Sequence, residues 1–296
     1  MVLGTGPAGL TAALYAQRLG LSTIVFGDTP GGNVYMIANL MNYPGFIDGI
    51  TGTQFGLSAF KQAQNEGAIF PMTRLDLFGR KEGMFSGVDT DGKTYTAPAA
   101  IVATGRAPKS LPVSNARMKG IHFCSICDGP LYRGQNATLA VIGGDNAAGQ
   151  HALSLSRIAA RVMLISRSDR LGMDAAHKTL IDRHENIEVK LRTNVLALKG
   201  QDVIEALTVE SETVGITEIP VDGVFLAMGW QPNTKVLDFH VEKTPEGYLV
   251  TDNRLMTSIV GLFAAGDVRD TDMWQVLAAC ADGARAAKYA AEFLER

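Results

Sequence analysis

Cysteine is scarce in this chain, with three in 296 residues, too few for the framework of bridges that holds small secreted domains together. A surplus of one charge is also missing. Lys and Arg number 27 against 30 Asp and Glu, a net charge of −3, so there is no basic field for nucleic acid or an acidic membrane surface. No apolar run approaches the roughly 20 residues that a membrane helix needs. What remains is a chain that is 46% hydrophobic and long enough for two domains of about 100–200 residues each. Its few thiols suit a reducing, cytoplasmic setting.

Two of the three cysteines stand three positions apart in Cys124-Ser125-Ile126-Cys127-Asp128. If the stretch opens a helical turn, both thiols share a face at a Cα separation that a disulfide tolerates. The N–H groups of such a turn favour a thiolate. Gly129 and Pro130 stop the helix soon afterwards, and Asp128 is placed to carry the proton that a thiolate gains or loses. A structural zinc site needs four ligands; His122 adds a third, Cys280 is far along the chain, and no fourth lies at a sensible spacing. On this stretch alone, a redox pair and two packed, inert cysteines both remain open.

Residues 1–20 resemble a signal peptide in their apolarity but lack a basic start, and their glycines fall at a phosphate-binding spacing. Only three residues precede Gly4, fewer than a usual strand, so numbering is expected to begin inside the first strand. Met1–Leu3, Gly4-Thr-Gly6-Pro-Ala-Gly9, an amphipathic helix over Leu10–Leu19 and a strand over Thr23–Phe26 form the setting in which G-x-G-x-x-G binds a dinucleotide. There Gly4 makes the turn, Gly6 admits a pyrophosphate at the helix N-terminus, and Gly9 lets helix and strand pack. The acid expected for a ribose hydroxyl is absent: Phe26 stands at its place and Asp28 is two positions late.

After amide- and glycine-rich loops (Gly31-Gly32-Asn33, Asn42-Tyr43-Pro44-Gly45-Phe46), a helical stretch covers Phe55–Glu66 and a meander of short strands covers Phe70–Tyr95. A buried strand then leads to Thr104 and Gly105. The pattern recurs: strand Thr138–Ile142, turn Gly143-Gly144-Asp145-Asn146-Ala147-Ala148, helix Gln150–Ile158, strand Val162–Ile165, a meander over 187–221, and a run to Gly229. A repeat of this size decides the architecture. A buried strand ending at Gly266-Asp267 and a helix over Trp274–Leu294 close the chain. The expectation is an α/β protein of two Rossmann-like, three-layer ββα domains, the second inserted in the first.

These motifs, taken in order, resemble the low-molecular-weight thioredoxin reductases, flavoproteins of the pyridine nucleotide–disulfide oxidoreductase class. The likeness rests on the G-x-G-P-A-G start, Gly31-Gly32, Asn42-Tyr-Pro-Gly-Phe, Ala103-Thr-Gly105, the Cys-x-x-Cys-Asp-Gly, and Gly261-Leu-Phe-Ala-Ala-Gly266-Asp267. The resemblance implies FAD in a discontinuous domain of residues 1–107 and 231–296, and an NAD(P)-binding-like domain of residues 108–230 that carries the thiols. Gly4, Gly6 and Gly9 would face the pyrophosphate, with Gly32, Asn33, Thr104, Gly105 and Gly266 nearby. Asp267 would bond the ribityl chain, and Asn42 and Gln275 would lie close to the flavin ring. Cys127 would be the flavin-proximal thiol, Cys124 the one that exchanges with substrate, and Asp128 the acid/base. A homodimer is implied, as is a second domain that rotates to present the disulfide to flavin and to substrate in turn. No metal site is expected.

The chain departs from the family where NADPH should bind. Asp145 replaces the middle glycine of the second motif, putting bulk and like charge where a pyrophosphate needs bare backbone. The family's basic box for the 2′-phosphate, His-Arg-Arg and a later Arg, reads Ser166-Arg167-Ser168 with Gly172 at the last place. Only Arg167 remains, Arg170 is displaced, and Asp169 is off position for an NADH ribose. Near the flavin, Trp274-Gln275 replaces Arg-Gln; Trp274 either caps the last helix or stacks beside the flavin. Cys280 reads as a packed thiol. His122 is close enough to the thiols to tune them, while His151, His177, His184 and His240 show no paired spacing and read as structural or exposed.

The leading expectation is an FAD-dependent reductase of a thioredoxin or thioredoxin-like disulfide, fed by a donor other than NADPH. Ferredoxin or a reduced deazaflavin is chemically admissible, because a flavin accepts electrons singly. One alternative is a flavin dithiol oxidase that passes electrons to oxygen; the retained Asp128 leans against it. A second is a non-catalytic flavin-binding redox sensor.

Overall fold

The computed structural model describes residues 1–37, 39–109, 111, 113 and 118–295. In chain order the elements are β1 (Val2–Leu3), α1 (Pro7–Arg18), β2 (Val25–Phe26), α2 (Gly52–Asn65), β3 (Leu75–Lys81), β4 (Met84–Asp89), β5 (Thr94–Ala97), β6 (Ala100–Val102) and β7 (Arg106–Pro108). Then follow β8 (Ile121–His122), α3 (Ser125–Asp128), β9 (Thr138–Ile142), α4 (Asn146–Leu155), β10 (Arg161–Ile165), α5 (Ala175–Asp182) and β11 (Ile187–Lys190). The last are β12 (Thr193–Lys199), β13 (Ala206–Ser211), β14 (Gly215–Pro220), β15 (Gly223–Leu226), β16 (Trp230–Pro232), β17 (Leu262–Ala264) and α6 (Val276–Leu294). The chain divides into two compact units, Met1–Ala107 with Gln231–Arg296, and Pro108–Trp230.

The first unit has a parallel sheet in the order β17-β6-β1-β2 and an antiparallel meander β3-β4-β5. Strand side chains alternate between faces, and the core divides accordingly. Val2, Val25, Ile101 and Phe263 point to one side, where they meet the alanine faces of α1 (Ala8, Ala12, Ala13, Ala16) and α6 (Ala279, Ala286, Ala287, Ala290). Leu3, Phe26, Val102 and Leu262 point to the other side, onto Leu75, Phe78 and Phe85 of the meander. Small residues let α1 and α6 approach closely; a Cβ on Gly283 would run into the Ala8 carbonyl.

The inserted unit repeats this plan with the order β11-β10-β9-β15-β8 and the meander β12-β13-β14. Leu139, Val141, Val162, Leu164 and Phe225 face α4 through Ala148, Ala152 and Leu155. Ala140, Ile142, Met163, Val224 and Leu226 face Val195, Leu198, Leu207 and Val209 of the meander. Sequence pattern assigned all of 187–221 to the meander, but β11 instead extends the parallel sheet beside β10. Its four residues are half-buried throughout, as befits an edge strand, and alternation within so short a run cannot tell the two placements apart. None of the helices is long and apolar enough to cross a membrane, among the described residues.

Candidate functional site

In the first unit, the turn after β1 is built for close backbone contact. Gly4 adopts φ +117, where an L side chain is strained, and a Cβ there would strike the Ala103 carbonyl. A Cβ on Gly9 would strike the carbonyl of Gly4, so helix and strand touch through these two positions. Gly6 is different: the nearest atom to a Cβ placed on it is the Gly31 oxygen, 4.0 Å away. Gly6 is the N-cap of α1, and no side chain caps that helix. The first turn of α1 thus presents uncapped backbone N–H groups and the positive end of the helix dipole to an open face, a cradle that suits a pyrophosphate.

Around the cradle the chain gathers residues far apart in sequence. Gly31 and Gly32 lie over it, with a Cβ on Gly32 coming 3.1 Å from the Gly6 Cα. Asn33 donates to the backbone oxygen of Arg106 at 2.6 Å. Thr104 donates to the oxygen of Asn233 at 2.7 Å, and Asn233 returns a bond to the oxygen of Thr104 at 2.9 Å. Asn42 and Gln275, separately expected near a flavin ring, hydrogen-bond to each other at 2.9 Å. Gly266 opens a short 3-10 turn that holds Asp267; its N–H is accepted by the buried carboxylate of Asp282 at 3.2 Å, which also pairs with Arg269 at 3.0 Å.

Asp267 itself pairs with Arg106 at 3.3 Å. Burial nevertheless pushes its carboxyl above the usual carboxylate range, with Arg106 pulling the other way. The Arg106 guanidinium also lies 4.6 Å from the centre of the Trp274 ring, and that ring meets Tyr248 at 5.9 Å. The N-cap of α6 is Gln275, so Trp274 is held by Arg106 and Tyr248 and does not cap the helix. Asp28 is exposed and bound to Arg74 at 2.6 Å, which holds its carboxyl below the usual range. Cys280 packs against the Val34, Leu40 and Phe55 cluster, and burial pushes its thiol up.

In the inserted unit, Cys124 is the N-cap of α3 and is joined to Cys127 in a disulfide with Cα atoms 5.3 Å apart. The Cys124 sulfur accepts from the N–H of Cys127 at 3.2 Å, and the N–H of Asp128 donates to the oxygen of Cys124 at 3.0 Å. Both cysteines are half-buried and Ile126 between them is exposed, so the pair rides on an accessible turn. Asp128 is buried and meets His122 Nδ1 at 3.2 Å. His122 Nε2 in turn lies 2.8 Å from the hydroxyl of Tyr132. Behind the disulfide, His151 Nδ1 accepts from the N–H of Ser125 at 3.2 Å.

The second glycine-rich turn is closed where the first is open. Asp145 is the N-cap of α4, and its carboxylate accepts the N–H of Ala148 at 3.1 Å. The buried Ser166 stands at the next strand end, its Oγ accepting from the N–H of Ser168 at 3.3 Å.

Sequence reasoning missed Arg106, Asn233, Tyr132 and Asp282; His151, read as structural or exposed, holds the backbone of Ser125. Asp282 left a signal, an acid on the inward face of an otherwise alanine-lined helix. The others depend on contacts that no spacing encodes.

Residues 1–283 match the pyridine nucleotide-disulphide oxidoreductase family. The chain is 35% identical over 300 residues to a thioredoxin reductase of Treponema pallidum, covering all of this chain and 96% of that one. Among solved structures, thioredoxin reductase from Giardia duodenalis superposes with a TM-score of 0.89 at 27% identity, covering 100% of this chain and 98% of that one. Thioredoxin reductase from Streptococcus pyogenes gives 0.88 at 29%, covering 99% and 97%. FAD is the cofactor of this class, and the open cradle at Gly6 fits its pyrophosphate. The chain therefore belongs to the pyridine nucleotide-disulphide oxidoreductase family and is a flavin-dependent disulfide oxidoreductase of the thioredoxin reductase kind.

Proposed function

We propose that this protein reduces the disulfide of a thioredoxin or thioredoxin-like protein through Cys124 and Cys127, drawing electrons from a donor other than NADPH. FAD, when bound, supplies the two-electron chemistry that opens the Cys124–Cys127 disulfide. The chain's own residues do the rest: Gly6 admits the cofactor's pyrophosphate on a turn that Gly4 and Gly9 allow to close, Asn42 and Gln275 border its ring, and Asp267 holds its ribityl chain. Cys124, at the N-cap of a turn whose N–H groups favour a thiolate, exchanges with the substrate. Cys127 resolves the mixed disulfide, and Asp128 moves the proton.

The observation that carries the donor inference is the Asp145 carboxylate on the N-terminus of α4. It occupies the donor that a nucleotide pyrophosphate uses, and it sets like charge beside any phosphate brought there. At about 4 Å and an effective dielectric near 20, such a pair repels by on the order of 4 kcal/mol. A small iron–sulfur protein such as ferredoxin, delivering electrons singly, is the donor proposed, and a homodimer is the assembly proposed.

The test is anaerobic mixing of the yellow protein with NADPH, NADH or photoreduced ferredoxin while flavin bleaching is followed. Bleaching is expected with ferredoxin and not with either nucleotide, and D145G should restore a measurable response to NADPH. Prompt bleaching of the unaltered protein by micromolar NADPH would overturn the donor inference. Flavin that fails to reduce thioredoxin in turnover would overturn the substrate.

A further inference from the structure

Opening one disulfide into two thiols takes two electrons and two protons, and the protons must reach sulfur through the protein. Asp128 is the one carboxyl next to the pair in sequence, but it is buried, so a proton it gives up must be replaced from inside. Two side chains stand in line behind it. The Asp128 carboxylate meets His122 Nδ1 at 3.2 Å, both side chains being only about a tenth exposed. His122 Nε2 meets the Tyr132 hydroxyl at 2.8 Å. The imidazole stacks on Phe225 at 4.8 Å and 27°, and Tyr132 stands edge-on to it at 5.6 Å, so the ring is fixed on its flat face and at its edge.

We propose that His122 is the proton reserve of Asp128, holding its Nδ1–H against the carboxylate and passing that proton on once per turnover, after the second leaving thiolate has left Asp128 one proton short. The inference rests on the disulfide-exchange reading above. The balance of the step is as follows. The Cys124 thiolate attacks the substrate disulfide, a Cys124–substrate bond forms, and the first substrate sulfur leaves and takes the proton of Asp128. Asp128 then receives the proton of Cys127, whose thiolate attacks Cys124; the Cys124–Cys127 bond forms and the second substrate sulfur leaves, again protonated through Asp128. Two electrons have passed from the dithiol to the substrate, and Asp128 ends one proton short. His122, charged on both nitrogens, restores that proton through Nδ1 and regains one from solvent.

Tyr132 is the orienting partner and not the source. Burial, with the nearby charges of Asp128 and Asp222, pushes its hydroxyl up to about 12, so it keeps its proton at neutral pH and accepts from the Nε2–H that His122 holds both before and after it gives up Nδ1–H. The titratable groups facing the imidazole are Asp128 from α3 and Tyr132 from the turn after it. Asp222, just before β15, acts on Tyr132, and His151 of α4 lies behind Ser125. His122 is thus a positioning and proton-supplying residue, acting on substrate only through Asp128.

The experiment follows thiol–disulfide exchange of the chemically pre-reduced holoenzyme with thioredoxin, and with a small aromatic disulfide, from about pH 5.5 to 9, for the unaltered protein, H122Q and Y132F. Glutamine can still donate to Asp128 but cannot store a proton. The unaltered rate is expected to fall toward high pH, as the reserve empties. In H122Q the falling limb moves about one unit to lower pH, which is roughly tenfold in rate at neutral pH and part of the usual 10²–10⁴ of general acid catalysis. Y132F keeps the limb in place. Equal slowing of H122Q at every pH, or no change, overturns the proposal. If the unaltered protein exchanges with neither disulfide, the reading beneath fails, a distinguishable result. Should H122Q not fold, imidazole ¹⁵N resonances of the unaltered protein decide, with His122 assigned by substituting the other four histidines in turn. A titration midpoint that differs from that of the rate overturns the proposal.

Discussion

The chain contains one turn twice, and the two copies differ at the cap of the helix that follows. Both follow a parallel strand, both need glycine where the turn passes a neighbouring carbonyl (Ala103 for Gly4, Ala227 for Gly143), and both lead into a helix whose N-cap is extended. The caps have nearly the same backbone, φ −75 and ψ −180 at Gly6, φ −96 and ψ −174 at Asp145. Only the side chain differs. At Gly6 there is none, and the N–H groups of α1 wait for an anion from outside the chain. At Asp145 the anion is built in. The fold is thus kept by the glycines that touch carbonyls, while the two turns differ at the position where a Cβ has room. A protein can lose a ligand from a duplicated site without losing the domain, because close packing and an open cap fall on different residues.

The sharpest way to break this comparison is to make the first turn like the second. Gly6→Asp meets no atom nearer than 4.0 Å at its Cβ and enters a backbone that Asp145 already adopts, so α1 should fold and gain a cap worth a few tenths of a kcal/mol. The like-charge cost against a pyrophosphate is on the order of 4 kcal/mol, so FAD affinity should fall by roughly a hundred- to a thousandfold. The flavin-to-protein absorbance ratio after purification reads this out. A fully yellow G6D protein with unchanged cofactor affinity would show that the open cap does not hold the pyrophosphate.

The complementary change, Gly9→Ala, should act on the fold. Its Cβ would enter the Gly4 carbonyl, a backbone atom that cannot swing aside, and overpacking of this kind costs about 1–3 kcal/mol. At the matching place in the second turn stands Ala148, fully buried and accommodated. A lower unfolding temperature for G9A without flavin, beside an A148G effect of no more than about 1 kcal/mol from lost helix propensity, is the expected pair of results. Equal effects at the two positions would mean that the two turns pack alike.

How much of this was open to a reader of the sequence follows from what each feature depends on. The repeat, the two parallel sheets and the mounted Cys124–Cys127 turn are carried by local alternation, glycine spacing and helix stops, and they were readable. So was the departure at Asp145, because it sits inside a motif whose every position has a known task. β11 was misplaced because four half-buried residues carry no face preference. The Asn42–Gln275 bond spans 233 positions; each member was nameable by resemblance, but their contact was not. Arg106 pairs with Asp267 across 161 positions, and no spacing rule announces that. The reading of His151 left structural and exposed roles open, because its partner is a backbone N–H, which leaves no trace in side-chain identity.

That histidine supplies the smallest difference between the two units and the last way to test them apart. The inserted unit ties its redox turn to α4 through His151 Nδ1, which accepts the N–H of Ser125 only while that nitrogen is unprotonated. Burial pushes the imidazole below its ordinary 6.5, and the charge of Asp145 opposes this without reversing it. Since the folded state holds a proton less readily than the unfolded chain, the stability from this contact is present above about pH 6.5 and is lost as pH falls below that value toward the folded titration. The loss should show between about pH 7.5 and 5, in the inserted unit and not in the first. In H151Q, whose amide oxygen can accept the same N–H but does not titrate in this range, the slope should flatten. Amide hydrogen exchange at Ser125 and Ile126, compared at the two pH values with α1 of the first unit as reference, measures it site by site. Equal acid sensitivity in both units, or a slope that survives in H151Q, would place the titrating group elsewhere.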